Sequence, residues 1–456
     1  MKKTKTYQQD FTQGRLSKQI LLFSIPLMFT NVLQILFNMA DIAVVGRFAG
    51  TIALGAVGST ATLVTLFTSL LIGIAGGINV LVAHHLGAKN TKDVQETIHT
   101  AALMSSAVGI LIMLIGLLFA RPILELMNTK PELLEGAVSY MHIYFLGMPA
   151  LAMFNFGNAV LSAAGDTKRP LKYLTIAGII NVALNLFFVI VCHLEVKGVA
   201  LASIISQYIS AILILRVLLC SGEQYALHIN KLHIHKDKLI ALARISIPSG
   251  LQNAIFYVAN LFVQVGVNSF SATYVSANSA AANADGLVYD VMAAFYTACG
   301  SFIGQNYGAG KKKRILHSYL ISMVYAFTIG TAMGLTIWYF GETFLSLFTN
   351  DPAVVEAGMI RLTIMSFSYG FSAFMDSAIA ASRGLGKGLI PTILVIMGSC
   401  VFRIIWIYTV FAYFGTITSL YLLYICSWTV TALAETIYFV HVYKNDLKTL
   451  QPATKI

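Results

Sequence analysis

The chain has 456 residues, 57% of them hydrophobic and only 11% charged, and its mean hydropathy is +0.76. A soluble domain carries about 25% charged residues, so composition excludes that class and leaves a polytopic membrane protein. The net charge of +11 would suit a nucleic-acid binder, but Lys and Arg lie in short segments between apolar runs, where they set membrane orientation; no nucleic-acid partner is expected.

In chain order, Lys2, Lys3, Lys5, Arg15 and Lys18 precede a first apolar run over 19–40. The pattern resembles a secretory signal, but no cleavage-like segment follows and Asp41 closes the run, which predicts an uncleaved first span. Charge-free runs over 19–40, 97–120, 173–194 and 315–341 each reach the roughly 20 residues that cross about 30 Å of hydrocarbon as helix. The longer runs 48–83 and 245–284 require long helices or a turn. With twelve spans and an inside N-terminus, 24 of the 30 Lys and Arg fall on the cytoplasmic side, together with both termini. Outside loops hold Arg47, Arg121, Lys130, Lys197 and Arg361, and Arg403 alone is left at membrane depth. The five cysteines are scattered singly and form neither a disulfide framework nor a metal spacing.

A charge at membrane depth is costly and marks a functional site. Asn31, Gln34, Asn38 and Asp41 recur at steps of three, four and three, so a helix aims them in one direction, toward something wet or ionic. Pro26, earlier in the same span, removes one backbone hydrogen bond and makes a hinge possible. Asn181 and Asn185 share one face of the fifth span, and Ser203 lies on the sixth. With Asp41 they offer a carboxylate, two amide oxygens and a hydroxyl, an all-oxygen set suited to a hard cation such as Na⁺; proton carriage needs only the aspartate.

The chain also reads as written twice. Ser24-Ile25-Pro26 recurs as Ser246-Ile247-Pro248, and at the same offset of 222 Asn31 and Asn38 match Asn253 and Asn260. Gly87-Ala88 matches Gly308-Ala309 and Pro131 with Glu135 matches Pro352 with Glu356 at 221; Gly165 with Lys168 matches Gly384 with Lys387 at 219. Six spans per half make the repeats parallel, an arrangement in which substrate sites lie between halves that rock against one another. The predicted division is a tail over 1–18, a six-helix bundle over 19–220, a linker over 221–245, a second bundle over 246–443 and a tail over 444–456. The linker histidines His228, His233 and His235 read as a solvated basic loop rather than a metal site.

The second half has its own ionic set: Asp285, Asp290, Asp376, Arg403 and Glu435. Depth counting puts Arg403 nearest Asp290 or Asp285 and leaves Asp376 as the free acid. In the repeat alignment Asp41 faces Val263 and Asp376 faces Gly157, so the two acids are not copies of one site. Asp285 and Asp290 sit about 140° apart around a helix, a poor arrangement for sharing one metal. No phosphate-cradling loop is present, which argues against ATP as the driver.

In this order, the segments SIPLMFTNVLQILFNMADIAVVGR, HHLGAKN, SAAGDTKRP, NVALN, GVALAS, GQNYGAG and RGLGKGLIP resemble the multidrug and toxic compound extrusion (MATE) transporters over essentially the whole chain. The resemblance implies an all-α polytopic membrane protein of twelve transmembrane helices, in a V-shaped pair of six-helix bundles related by pseudo-twofold symmetry. It also implies export of mostly cationic amphiphiles in exchange for Na⁺ or H⁺. By motif, Asp41 matches the family's first-helix acid, Asn181 and Asn185 its fifth-helix pair, Ser203 its sixth-helix hydroxyl and Pro26 its bending proline. Asp376 matches a tenth-helix acid of one bacterial branch, whose seventh-helix partner Glu would fall near Phe256 here. Asn31, Gln34, Asn38, Asn253, Asn260, Asp290, Asp376 and Arg403 are the candidates for cavity lining or coupling. The expected protein is a monomer in the cell membrane, touching lipid and small organic cations or amphiphiles, with no cofactor beyond the coupling ion. Two rivals are weaker. A lipid-linked oligosaccharide flippase would line its cavity with several basic residues, and a membrane enzyme would need paired acids or a nucleophile and base on one helix face.

Overall fold

The computed structural model describes residues 9–445, 447 and 448, and among them the regular structure is helical, with no strand. That follows from the solvent: in hydrocarbon a helix satisfies every backbone polar group within its own segment. The first half comprises α1 (Leu16–Phe48), α2 (Gly50–Gly87), α3 (Thr91–Leu126), α4 (Pro131–Leu146), α5 (Met148–Ala163), α6 (Lys168–Val191) and α7 (Glu195–Leu219). The second comprises α8 (Lys236–Val267), α9 (Ala272–Gly308), α10 (Lys312–Tyr339), a short α11 (Gly341–Ser346), α12 (Pro352–Gly384), α13 (Leu389–Phe414) and α14 (Ile417–Asn445).

Ten of these helices are long and apolar enough to cross a membrane, and α4 with α5, bent by 45° at their junction, makes an eleventh. The counterpart of that bent pair is α12, a single helix of 33 residues. Its serines and Asp376 dilute its hydropathy, and it completes the twelve spans that the sequence predicts.

The repeat is visible in the elements. Helices α8, α9, α10, α13 and α14 begin 220, 222, 221, 221 and 222 positions after α1, α2, α3, α6 and α7. One predicted landmark shifts. Gly165 pairs with Gly386 rather than Gly384, since both take a left-handed φ, +88° and +80°, in the turns before α6 and α13. That pairing agrees with the offset of the helix starts.

The chain forms two compact units, and their boundary is not the one the sequence predicts. One unit contains Phe29–Gly250 with Gln9 and Asp10; the other contains Phe11–Met28 with Leu251 onward. Each half's first helix therefore starts in the unit built mainly from the other half. The changeovers, after Met28 and after Gly250, are equivalent positions of the repeat, each just beyond a proline, Pro26 in one half and Pro248 in the other. The expected linker is also shorter, because α8 already begins at Lys236.

Both exchanged segments are anchored through polar backbone contacts. In the second unit Phe11 is fully buried and stacks on Phe302 at 3.8 Å, with Phe23 edge-on at 5.4 Å. Its amide donates to Gln305 Oε1 at 2.9 Å, and its carbonyl accepts from Arg314 Nη2 at 2.8 Å. In the first unit the linker binds α3: the His228 and His235 amides donate to His99 Nε2 (3.2 Å) and Thr100 Oγ1 (3.1 Å), and Tyr225, Ala226 and Leu227 are buried. The linker is thus a strap packed over 225–227, while the His228 and His233 side chains stay exposed as expected and His235 is half-buried. The lower part of α8 that follows it meets α2 backbone to backbone. A Cβ on Gly73 would lie 2.5 Å from Gly250 Cα, and one on Gly77 would lie 2.7 Å from Ser246 Cα.

Candidate functional site

In the first unit α1 and α6 pack closely because Gly178 has no side chain; a Cβ there would lie 1.9 Å from the Phe37 ring. One turn beyond Phe37, Asp41 is half-buried and reaches both α6 and α7. Asn185 Nδ2 donates to Asp41 Oδ1, and Ser203 Oγ donates to Asp41 Oδ2 at 3.2 Å. Asn185 Nδ2 also donates to Asn181 Oδ1 at 3.3 Å. Asn181, Asn185 and Ser203 are 5%, 0% and 6% exposed, so the carboxylate looks onto a polar nook sealed from behind. The structure brings together the four residues selected from the sequence.

One atom in this nook is unsatisfied: Asn185 Oδ1 is buried and accepts no hydrogen bond among the described residues. Buried polar atoms ordinarily have a partner. A spare amide oxygen beside a carboxylate, a hydroxyl and a second amide oxygen fits a hard cation, and the carboxylate alone fits a proton. Two residues after Asn185, α6 widens to π-helical pitch over Phe187–Val191, a distortion that recurs at functional sites.

Sequence reasoning missed Tyr140 and Tyr144 on α4. Their rings stack at 5.6 Å, and both hydroxyls lie within electrostatic reach of Asp41. Spacing of four within an apolar helix is the one available signal, and it is shared by many core aromatics. Of the polar stripe, Asn31 and Gln34 are half-buried and Asn38 is exposed.

The second unit corrects two expectations. Arg361 does not lie in an outside loop; it sits inside α12 at 4% exposure, paired with Asp285 and donating to Asn278 Oδ1. Tyr369 completes that carboxylate's shell at 2.6 Å. With Asp285 so engaged, Arg403 finds neither Asp285 nor Asp290. Its Nη1 donates to Asn260 Oδ1 at 2.7 Å and its Nε to Ser427 Oγ at 3.3 Å, and the Tyr424 and Phe256 rings lie 4.7 and 5.2 Å from the guanidinium. Arg403 is therefore not the lone basic group at depth. Arg361 joins it, and at the end of α12 half-buried Arg383 donates to Gln252 Oε1 at 2.7 Å.

Asp376 Oδ2 and both Glu435 carboxylate oxygens are buried without a hydrogen-bond partner among the described residues. Both acids lie within electrostatic reach of Arg383. Asp290 and Asn253 each have a partner of their own. Phe256, the position of the missing seventh-helix acid, is occupied by Arg403 through its ring.

Two tandem repeats of membrane-spanning helices, with polar and ionic clusters buried at the depth of the spans, define the class of polytopic membrane transporters rather than enzymes. The chain belongs to the MatE family, whose pattern matches it twice, over residues 26–187 and 248–409. The two matches begin at Pro26 and Pro248, equivalent positions of the repeat. A protein of Bacillus subtilis, "Probable multidrug resistance protein YpnP", is 28% identical over 79% of this chain and 81% of its own length. A "FAD transporter" of Shewanella oneidensis is 26% identical over 73% and 75%. The fold matches a solved MOP superfamily transporter of Pyrococcus furiosus with a TM-score of 0.91, at 22% identity over 98% of this chain and 100% of that one.

Proposed function

We propose that the chain is a secondary antiporter that exports a range of mostly cationic amphiphilic compounds in exchange for Na⁺ or H⁺. Its membership of the MatE family and its relative named for multidrug resistance support the export reading. The observation that carries the coupling is Asp41, a carboxylate held at span depth by Asn185 and Ser203 beside an unsatisfied amide oxygen. A cation or proton entering there neutralises the carboxylate. Asn185 and Ser203 then need not donate to it, which loosens the tie between α1 and the α6–α7 pair. Pro26, just before α1 changes unit, is the point at which the freed helix bends. Asn31, Gln34 and Asn38 in the first unit, and Asn253 and Asn260 in the second, are the polar groups offered to substrate, with Asp290 and Asp376 as further coupling groups. One charge moved down the membrane potential supplies about 2.3 kcal/mol per 100 mV, roughly a fiftyfold concentration ratio, enough for export without ATP. Both termini lie on the cytoplasmic side, the protein works as a monomer in the cell membrane, and no cofactor beyond the coupling ion takes part.

The test is efflux of a cationic dye from proteoliposomes. Asp41→Asn is expected to abolish gradient-driven efflux while keeping the native elution profile and melting temperature. Unimpaired efflux in that variant would overturn the proposal.

A further inference from the structure

The Arg403 cluster is built from the same three helices of the repeat as the Asp41 site. Asp41 lies on α1 with Asn185 on α6 and Ser203 on α7. Arg403 lies on α13, the repeat of α6, with Asn260 on α8, the repeat of α1, and Ser427 on α14, the repeat of α7. In the register that relates α6 to α13, Phe402 and Trp406 are the counterparts of Asn181 and Asn185, so Arg403 falls between the positions of the two asparagines. In each cluster one amide and one hydroxyl bind the charged group directly; the Asp41 site adds a second amide, Asn181, behind Asn185. The sign is reversed: the amide and hydroxyl donate to the carboxylate in one unit and accept from the guanidinium in the other.

Arg403 lacks what a buried arginine ordinarily has. It is 1% exposed yet makes no ion pair among the described residues, and its Nη2 is buried without a hydrogen-bond partner. The neighbouring Arg361, whose guanidinium also lies over the Tyr424 ring, takes Asp285 for itself. Arg403 is therefore left with neutral partners only. The helix bearing Arg403 is distorted on both sides of it: α13 is π-helical over Ile396–Val401 and again over Ile407–Phe411, leaving five α-helical residues between. Among its partners Asn260 is the exposed one, and it binds the guanidinium through an amide oxygen. A carboxylate or phosphate that displaces this oxygen takes Nη1 and Nη2 together, the two-pronged geometry arginine offers to such groups.

We infer that Arg403, Ser427 and Asn260 form a subsite for the anionic group of an organic ligand, the charge-inverted twin of the Asp41 site. Phe256 and Tyr424 on the guanidinium favour a ligand with a flat apolar body, an aromatic carboxylate or phosphate. The subsite goes beyond the cation-coupled export proposed above and does not depend on it.

The probe pair is dansylglycine and its neutral amide, dansylglycinamide, titrated by fluorescence against the purified full-length protein. Dansylglycine is expected to bind about tenfold more tightly or better, a preference of the size one charge-assisted pair gives. Arg403→Gln is expected to equalise the two probes. Asn260→Asp supplies an internal carboxylate in the ligand's place, so it is expected to raise the melting temperature and abolish the preference. A purely structural Arg403 predicts the first effect without the second. Asp41→Asn should leave the preference intact, which separates failure of this inference from failure of the coupling proposal. Exchanging phosphatidylcholine for phosphatidylglycerol in the mixed micelles distinguishes the source of the anion. Displacement of the probe assigns the subsite to a phospholipid headgroup and no displacement to a free organic anion; either result upholds it. Equal binding of both probes by the native protein would overturn the inference, as would a preference that survives Asn260→Asp.

Discussion

Two carboxylates of the second unit show how little residue type says about role. Asp285 and Asp376 are both acids in long helices of one unit, yet the first is clasped by Arg361 and Tyr369 and the second has a buried oxygen with no hydrogen-bond partner among the described residues. Removing one partner of a buried ion pair strands the other and costs about 3–5 kcal/mol. Asp285→Ala should therefore lower the melting temperature strongly, as read by thermal unfolding in detergent. Asp376→Asn replaces a poorly satisfied acid by a neutral isostere and should leave the melting temperature unchanged or raised. Comparable destabilisation by both would contradict the distinction. Arg361 is unreadable as a depth residue in the sequence, because one charged residue near the start of an apolar run looks like a loop. Only the helix start at Pro352 puts it inside.

Among the elements, the packing of α2 on α8 depends on glycines whose neighbours are backbone atoms, which cannot rotate away. Gly77→Val sets its Cβ against the Ser246 backbone, and Gly73→Val does the same against Gly250. Overpacking of this kind costs about 1–3 kcal/mol or more, so both variants should lose folded protein in fluorescence-detected size-exclusion chromatography. Gly76→Ala is the control. Nothing lies within 4 Å of its Cβ position, and replacing a mid-helix glycine by alanine gains up to about 1 kcal/mol. If Gly76→Ala were as damaging as Gly77→Val, helix contact would not be the cause. The Gly73–Gly77 spacing is legible as a close-contact motif in the sequence, but its partner is not.

For the molecule as a whole, the exchange of α1 and α8 segments makes the two halves interdependent. A chain severed at Gly222 should fold when both pieces are co-expressed. Each piece alone should aggregate, because the first lacks the strap and the lower part of α8, and the second lacks Phe11–Met28 with its Phe302 and Arg314 contacts. Stable, monodisperse isolated halves would refute this. The coupling ion is read at the same level. Dye efflux from proteoliposomes under an imposed Na⁺ gradient at constant pH, and under a pH gradient without Na⁺, should show one of the two driving transport and Asp41→Asn removing that response.

Residue order alone suffices for the class, the twelve spans, the internal doubling and the grouping of Asp41 with Asn181, Asn185 and Ser203. Those features follow from local physics: hydrocarbon demands helices of fixed length, period 3.6 fixes which residues share a face, and oxygen-rich polar groups are too costly at depth to be incidental. Which ions meet is settled by three-dimensional packing. Depth counting assigns Arg403 to an acid, but contact depends also on each helix's rotation and on its neighbours, and those turn Arg361 toward Asp285 and Arg403 toward Asn260. Packing likewise settles that each first helix changes unit beside its proline, since no pattern within a helix records which bundle its lower half packs against.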